Sequence, residues 1–440
     1  MKIFARVTTL IFAAALAVAH WQFFPNFGEI DRPQITAQTV SVEPLPLRVY
    51  CPGAFVELGG ESGVDLGNVV RVGEALISNQ TTANELLVAP PLSTVDGAGA
   101  VVGDPEQSTN LISLIQSQAI DRERAKGLAA TACQKPVASG WLINGSSVVG
   151  TESVLIAANP GEVEALVELE IHLPGRVIGE RFALAPGEQQ LIPTSRYANG
   201  EQAFAIYFES SGPEISMALQ NRETRGLNPI GVEIEGPTLE PNTAFSFVGL
   251  RDLTQGFEKP SMRVYNPGSE VAEVVVTVFG EGNVELVREL VNPAAFAELP
   301  LELAGGYQLV NLTSDQPVLA AIKNSSIEPV LDFAWIQPAE LFSSVTMALS
   351  PYQNSVLIAN PGSTAIELTL ESRSGDRLSF ESLVLAPFSQ LAIPSSANSM
   401  RVEGTGQFAI ALEIFDSAGY SVLHPRESAN LGENLVIRVN

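Results

Sequence analysis

The sequence predicts an all-β fold: tandem immunoglobulin-like β-sandwich repeats, about four with the first degenerate, after an N-terminal signal or membrane-anchor helix. Three observations predict it. The tripeptide Asn-Pro-Gly recurs at Asn159, Asn266 and Asn360. Proline follows each copy at the same two offsets, 27 and 34 residues on, without a gap: Pro186 and Pro193, Pro293 and Pro300, Pro387 and Pro394. The segment between alternates apolar and polar residues with period two, the pattern of a strand with one buried face.

The alternation sets the first strand of each repeat. Ala165, Val167, Leu169 and Ile171 face inward in the first copy; Ala272, Val274, Val276 and Val278 in the second; Ile366, Leu368 and Leu370 in the third. The intervening Glu168, Glu170 and His172, Glu273 and Thr277, and Glu367, Thr369 and Glu371 face solvent. Leu184, Val291 and Leu385 continue the register into the next strand. Further on, Phe204–Gly212, Leu309–Asp315 and Phe408–Ile414 read as equivalent strands. Ser211-Gly212, Asp315-Gln316 and Ala418-Gly419 stand where hairpin turns are expected. A fainter copy lies upstream, where Arg48-Val-Tyr-Cys-Pro-Gly53 echoes Arg263-Val-Tyr-Asn-Pro-Gly268, and Arg122–Leu128 echoes Arg222–Leu227. Repeats of about 100 residues suit sandwiches and are too long for ordinary propeller blades. The expectation is a rod or string of beads, with linkers at Gly236-Pro237 through Pro241-Asn242 and at Gln337-Pro338.

The domains are therefore 1–24, a signal peptide or signal anchor; 25–45, a spacer; 46–137, a degenerate N-terminal β domain; and sandwiches at 138–237, 242–338 and 339–440. Lys2 and Arg6 precede an apolar run from Val7 to Ala19, and Ala17-Val18-Ala19 suits a signal peptidase. Trp21, Phe23 and Phe24 lengthen the run toward a membrane-spanning one, so an uncleaved anchor competes with a cleaved signal. Either leaves the rest exported, at the envelope or secreted. The two cysteines, Cys51 and Cys133, form the one available pair, and an exported chain predicts a disulfide between them.

The run Cys51-Pro-Gly53, Gly127-Leu-Ala-Ala-Thr-Ala-Cys133, Trp141-Leu-Ile-Asn-Gly145 and Leu155–Gly161 resembles an uncharacterised family of large secreted proteins of actinobacteria, known as a domain of unknown function. The resemblance covers roughly 45–430. It implies export and an envelope location, and brings no catalytic residue and no ligand.

The chemistry-bearing residues are few. With 24 Lys and Arg against 49 Asp and Glu, and a net charge of −25, the chain is a poor phosphate ligand, so no nucleic-acid partner is expected. His20, His172 and His424 are the three histidines. His172 falls on the outward face of its strand and His424 at a strand end. There is no Gly-x-Ser-x-Gly and no Ser-x-x-Lys. Glu168, Glu170, Glu371, Asp376 and Asp416 are carboxylates without a pairing pattern. No catalytic, cofactor-binding or metal site is expected, no cofactor, and no enzyme activity. Trp141 and Trp335 stand outside the alternating strands, as packing between domains or as candidate ligand-contact aromatics. Leu166, Val275 and Phe279 are outward apolar positions of the same interest. The functional expectation is a non-enzymatic, exported cell-envelope scaffold or interaction protein. It would bind an envelope protein or a neutral glycan, and touch the membrane only through an uncleaved N-terminal helix. The alternative is a small-ligand or carbohydrate-binding module protein.

Overall fold

A computed structural model describes residue 15 and residues 48–59, 65–81, 87–88, 99–102, 112–256, 258–280 and 284–426. The chain divides into a compact unit, Leu45–Gly432, and a second made of Met1–Pro44 and Glu433–Asn440. The export segment, its cleavage site, the spacer and His20 lie outside the described residues. No helix among the described residues is long and apolar enough to cross a membrane.

The first sandwich is two four-stranded antiparallel sheets. The front sheet runs Arg176–Leu184, Ala165–Leu173, Phe204–Ser211, Ser139–Gly145, and the back sheet Gln189–Pro193, Thr151–Ala158, Ser216–Arg225, Asn228–Glu235. The alternating residues Ala165, Val167, Leu169 and Ile171 fill the space between them. The second sandwich repeats the order, with Val284–Val291, Ala272–Phe279, Gln308–Ser326 and Asn242–Leu250 in front and Ala295–Pro300, Ser261–Asn266, Gln308–Ser326 and Asp332–Ile336 behind. The third has Arg377–Leu385, Ile366–Ser374, Ser399–Asp416 and Leu341–Ala348, backed by Ser389–Ser395, Asn354–Asn360, Ser399–Asp416 and Gly419–Leu423.

Two expectations of register are corrected here. Ser211-Gly212 and Asp315-Gln316 are not hairpin turns. They are corners at which the chain leaves the front sheet for the back one, and Gln308–Ser326 does so as one 19-residue strand. In the third sandwich, Phe408–Ile414 is the counterpart of Ile215–Leu219, not of the Phe204 strand: Ala409–Ile414 pairs with Asn354–Ala359 in the back sheet, while Ser399–Gly404 pairs with Leu368–Arg373 in front. The cause is loop length. The first sandwich places a helical turn, Ser195–Ala198, before this strand, whereas Ser395 and Ser399 are nearly adjacent. Ala418-Gly419 is a true hairpin, one strand later than the alignment implied.

The Asn-Pro-Gly repeat has a local cause. Each asparagine side chain is buried and clamps its loop. Asn266 Nδ2 donates to Glu270 O at 2.7 Å and Val291 O at 3.0 Å, while its Oδ1 accepts from Gly268 N at 2.9 Å. Asn159 does the same with Val163, Leu184 and Gly161, and Asn360 with Thr364, Leu385 and Gly362. Asn266→Ala is expected to cost about 1–3 kcal/mol in urea unfolding, since it strands the buried Val291 carbonyl and two part-buried backbone groups. Asn266→Asp is expected not to restore this, because a carboxylate cannot donate. A loss under about 0.5 kcal/mol for either variant would refute the clamp.

The N-terminal region differs from the sandwiches. It forms small sheets: Arg48–Cys51 with Gly99–Val102 and Leu87–Val88, Val56–Gly59 with Asp65–Arg71, and Leu76–Thr81 with Ile112–Asp121 and Lys126–Ala132. Arg48–Cys51 is not in the place of its echo Ser261–Asn266. The echo at Arg122–Leu128 does lie on a hairpin like that of Arg222–Leu227, in a different register. The Cys51–Cys133 disulfide closes the region, with Cα atoms 4.5 Å apart. Where regular pairing fails, buried amides replace it. Gln116 bonds both backbone groups of Gly53, Gln118 accepts from Phe55 N, and Gln220 of the first sandwich bonds both groups of Val56.

Within Leu45–Gly432 the four parts do not form a rod. The last strands of the parts, Lys126–Ala132, Asn228–Glu235, Asp332–Ile336 and Gly419–Leu423, meet in a closed cycle. The third sandwich returns to the N-terminal region, its Phe342, Met347 and Ala348 packing with Ile115, Leu128 and Ala130. The parts thus stand around an axis as propeller blades do, each of the three regular blades being a two-layered sandwich. Of the segments read as linkers, Gly236, Pro237, Thr238, Gln337 and Pro338 are buried, while Glu240 and Asn242 stay exposed. Gln337 Nε2 donates to Gly236 O at 2.8 Å, and Arg426 bonds Pro237 O and Gln337 Oε1.

Candidate functional site

The axis is built from one aspartate and three glycines. Asp332 opens the inner strand of the second sandwich, and Gly127, Gly231 and Gly419 hold the matching positions in the others. A Cβ at any of these glycines would come within 2.4–2.6 Å of the Asp332 carboxylate. One carboxylate therefore sits where four inner strand edges converge, and it answers their unpaired N–H groups. Oδ2 accepts from Leu128 N at 2.8 Å and Tyr420 N at 2.9 Å; Oδ1 accepts from Phe333 N at 3.0 Å and Val232 N at 3.2 Å. Burial pushes the Asp332 carboxyl well above the usual range, and the four donors oppose that push.

Two more carboxyls lie beside it on the inner strand Asn228–Glu235. Glu233 is wholly buried, and burial, then the neighbouring Glu235 and Asp332, raise its pKa well above the ordinary value. Glu235 is pushed up to about 8, chiefly by burial, with Arg426 acting against it. His424, also buried, is held down to about 3 by burial and by Arg426. These groups give the axis a polar column but no metal centre: among the described residues, no group of three or more His, Cys, Asp or Glu is placed to hold a metal ion.

The interface between the first and second sandwiches takes up Trp141 and Trp335. Both are buried, at 8% and 4% exposure, in a cluster with Ile143, Tyr265, Leu319 and Phe333. The Arg263 guanidinium lies 4.7 Å over the Trp335 ring and donates to Ile143 O and Gly145 O across the interface. His172 is here too. The sequence reading placed it in solvent, but the second sandwich covers that face, and His172 Nδ1 meets Tyr265 Oη at 2.8 Å. Phe279 likewise stacks on Phe388 of the third sandwich, ring centroids 5.0 Å apart. Leu166 stays exposed.

The open concavities are at one end of the sandwiches. A cavity of about 300 Å³ lies over the loop Ser147–Gly150 and the turn at Ser195–Gly200, completed by Leu58. A cleft of about 560 Å³ occupies the matching loops of the third sandwich, Leu349–Tyr352 and Ser396–Asn398, completed by Ile77 and Ser78. The smaller lining is mainly apolar, with Leu58, Val148, Val149 and Pro193 beside the Glu152 carboxyl and the hydroxyls of Ser147 and Ser195, while the larger is slightly more polar than apolar, with Ser350, Asn354, Ser396 and Asn398. The larger cleft adds the Tyr352 ring and the Arg373 guanidinium. Tyr352 Oη accepts from Ala119 N at 3.1 Å, fixing the ring across the seam that closes the cycle. Such a lining can hydrogen-bond a hydroxyl-rich ligand. It brings together no nucleophile with a base.

The family model described as a family of unknown function (DUF5719) matches residues 92–391. The chain belongs to that family. The match runs from the N-terminal region to the fifth strand of the third sandwich of this DUF5719 chain. No curated protein matches it. Among solved structures, a tetra-tandem repeat in the extending region of a large adhesion protein aligns over 90% of this chain and 96% of that one. The identity is 10% and the TM-score 0.12, too low to carry an argument.

Of the residues singled out from sequence, Cys51 and Cys133 come together, and Trp141 and Trp335 share one buried cluster. Glu168, Glu371 and Asp416 remain scattered: Glu168 pairs with Arg181, and Asp416 caps its own hairpin through Ala418 N. The axial carboxyls of this DUF5719 chain were missed. Gly231-Val-Glu-Ile-Glu235 alternates like any edge strand with a solvated face, and only the other three parts bury it.

Proposed function

We propose that this DUF5719 chain is a non-enzymatic, exported envelope protein that presents a closed β-ring and binds a neutral glycan or a protein segment in its loop-end clefts. The observation that carries this reading is the pair of concavities at equivalent loops of a closed framework, the larger of them lined by Tyr352, Asn354, Arg373 and Asn398. The Cys51–Cys133 disulfide supports an extracytoplasmic setting. The lining at Tyr352 and Arg373 supports a ligand rich in hydroxyls, and the net charge of −25 disfavours phosphate-bearing polymers. The N-terminal segment 1–24 would export the chain and either leave it or hold it at the membrane. Burial of Trp141 and Trp335 takes them out of the ligand-contact role and into the frame.

The test is crosslinking in intact source cells with mass spectrometry, beside a glycan array probed with the purified chain. The expected result is one reproducible envelope ligand whose binding falls at least about tenfold in Arg373→Ala. Retained Met1 or Lys2 peptides would show an anchor, and an N-terminus near His20 a released protein. Turnover of a captured glycan, or no ligand by either route, would overturn the reading.

A further inference from the structure

The outermost front strand occupies the same place in all three sandwiches, as Arg176–Leu184, Val284–Val291 and Arg377–Leu385, each the last strand of its sheet. Such an edge invites another strand, and proteins blunt it with charge. Two of the three do. Arg181 and Arg288 stand 22 residues after their Asn-Pro-Gly asparagines, at the middle of the outward face, and pair with Glu168 at 2.8 Å and Glu273 at 3.1 Å on the neighbouring strand. At the same position the third sandwich has Ser382, opposite Thr369. Its outward face is otherwise Leu378, Phe380 and Val384, with Phe380 at 66% and Val384 at 68% exposure. Among the described residues nothing pairs with the free edge of this strand, and Arg377 and Glu381 have no ion-pair partner.

We propose that Arg377–Leu385 is a self-association edge, on which a second copy of this chain pairs antiparallel about a two-fold axis at Ser379. The charge pattern selects this occupant and register. Arg377 then faces Glu381 of the second copy, Leu378 faces Phe380, and both pairs occur twice by symmetry. A register centred on Glu381 would set two carboxylates against each other. The result is a continuous sheet across two rings, isologous and therefore closed at two. It goes beyond the proposed ligand binding and does not depend on it.

Sedimentation equilibrium on the full chain, from about 1 to about 100 μM with enough detergent to disperse the N-terminal segment, is the test. The expected result is a monomer–dimer equilibrium in that range. Phe380→Lys should weaken it at least tenfold. Arg377→Glu and Glu381→Arg should each weaken it, and the double exchange should restore it, since only this register sets the two positions opposite each other. All three side chains changed are exposed, and unchanged melting curves would show that the variants fold. A monomer throughout, a dimer indifferent to Phe380→Lys, or a double exchange that stays dissociated would overturn the proposal.

Discussion

Asp332→Ala is expected to destabilise the ring by about 3–5 kcal/mol, the largest effect of any single substitution in this chain. The change strands four buried N–H groups, from Leu128, Val232, Phe333 and Tyr420, each on a different part of the ring. Asp332→Asn is the sharper variant. It keeps size and shape, yet either rotamer aims an NH₂ group at two N–H donors, so it should recover little of the loss. Asp332→Gly makes all four positions alike and opens room for water at the axis, and should fall between the other two and wild type. Guanidinium unfolding read by circular dichroism and by tryptophan fluorescence would check this. Trp141 and Trp335 report the seam between two sandwiches, so divergence of the two curves would show the parts separating. A shift below about 1 kcal/mol for Asp332→Asn would mean that the carboxylate does not hold the hub.

The second large effect is a stability maximum displaced to acid pH. Glu233 and Glu235 have folded pKa values above their unfolded ones, Glu235 at about 8. From about pH 4.3, where an unfolded glutamate ionises, the folded chain holds protons that the unfolded chain has released. Stability contributed by these groups therefore falls as pH rises through that window to about 8. His424 has the opposite sign. Its folded pKa is near 3 against about 6.5 unfolded, so its contribution is complete above about 6.5 and is lost as pH falls toward 3. The slopes oppose each other between about 4.3 and 6.5. Above that range the buried carboxyls with raised pKa values, Glu233, Glu235 and Asp332, all act in one direction, and stability declines by an amount on the order of a few kcal/mol by pH 8. Two glutamates outweigh one histidine above about pH 4.3, so melting temperatures should peak near that pH. Glu235→Gln should flatten the alkaline limb and leave the acid limb in place. A midpoint that is flat or rising between pH 6 and 8 in the wild type would contradict the burial of this pair as neutral acids.

The residue pattern made much of the blades legible. Period-two alternation in Ala165–Ile171 and its two copies fixed which face is buried, because a strand with one wet face admits no other periodicity. The Asn-Pro-Gly spacing marked equivalent turns, because each asparagine must reach carbonyls four and twenty-five residues on. Where spacing varied the alignment slipped, as with Phe408, whose preceding loop is shorter than in the first sandwich. The clefts were not legible, since they join loops of one sandwich to Leu58, Ile77 and Ser78, far away in sequence.

By itself, then, the sequence determined the sandwich as the unit, its buried faces, the pairing of Cys51 with Cys133, and the sparseness of catalytic residues. These follow from local periodicity, composition and a pair with one possible partner. Tertiary structure alone decided that the parts close on themselves instead of extending. It buried His172, which local pattern left facing solvent, it chose packing between domains over ligand contact for Trp141 and Trp335, and it turned Gly127, Gly231 and Gly419 into room for one aspartate. The physical reason is that closure depends on how four inner strand edges satisfy their N–H groups together, and no single repeat carries that requirement.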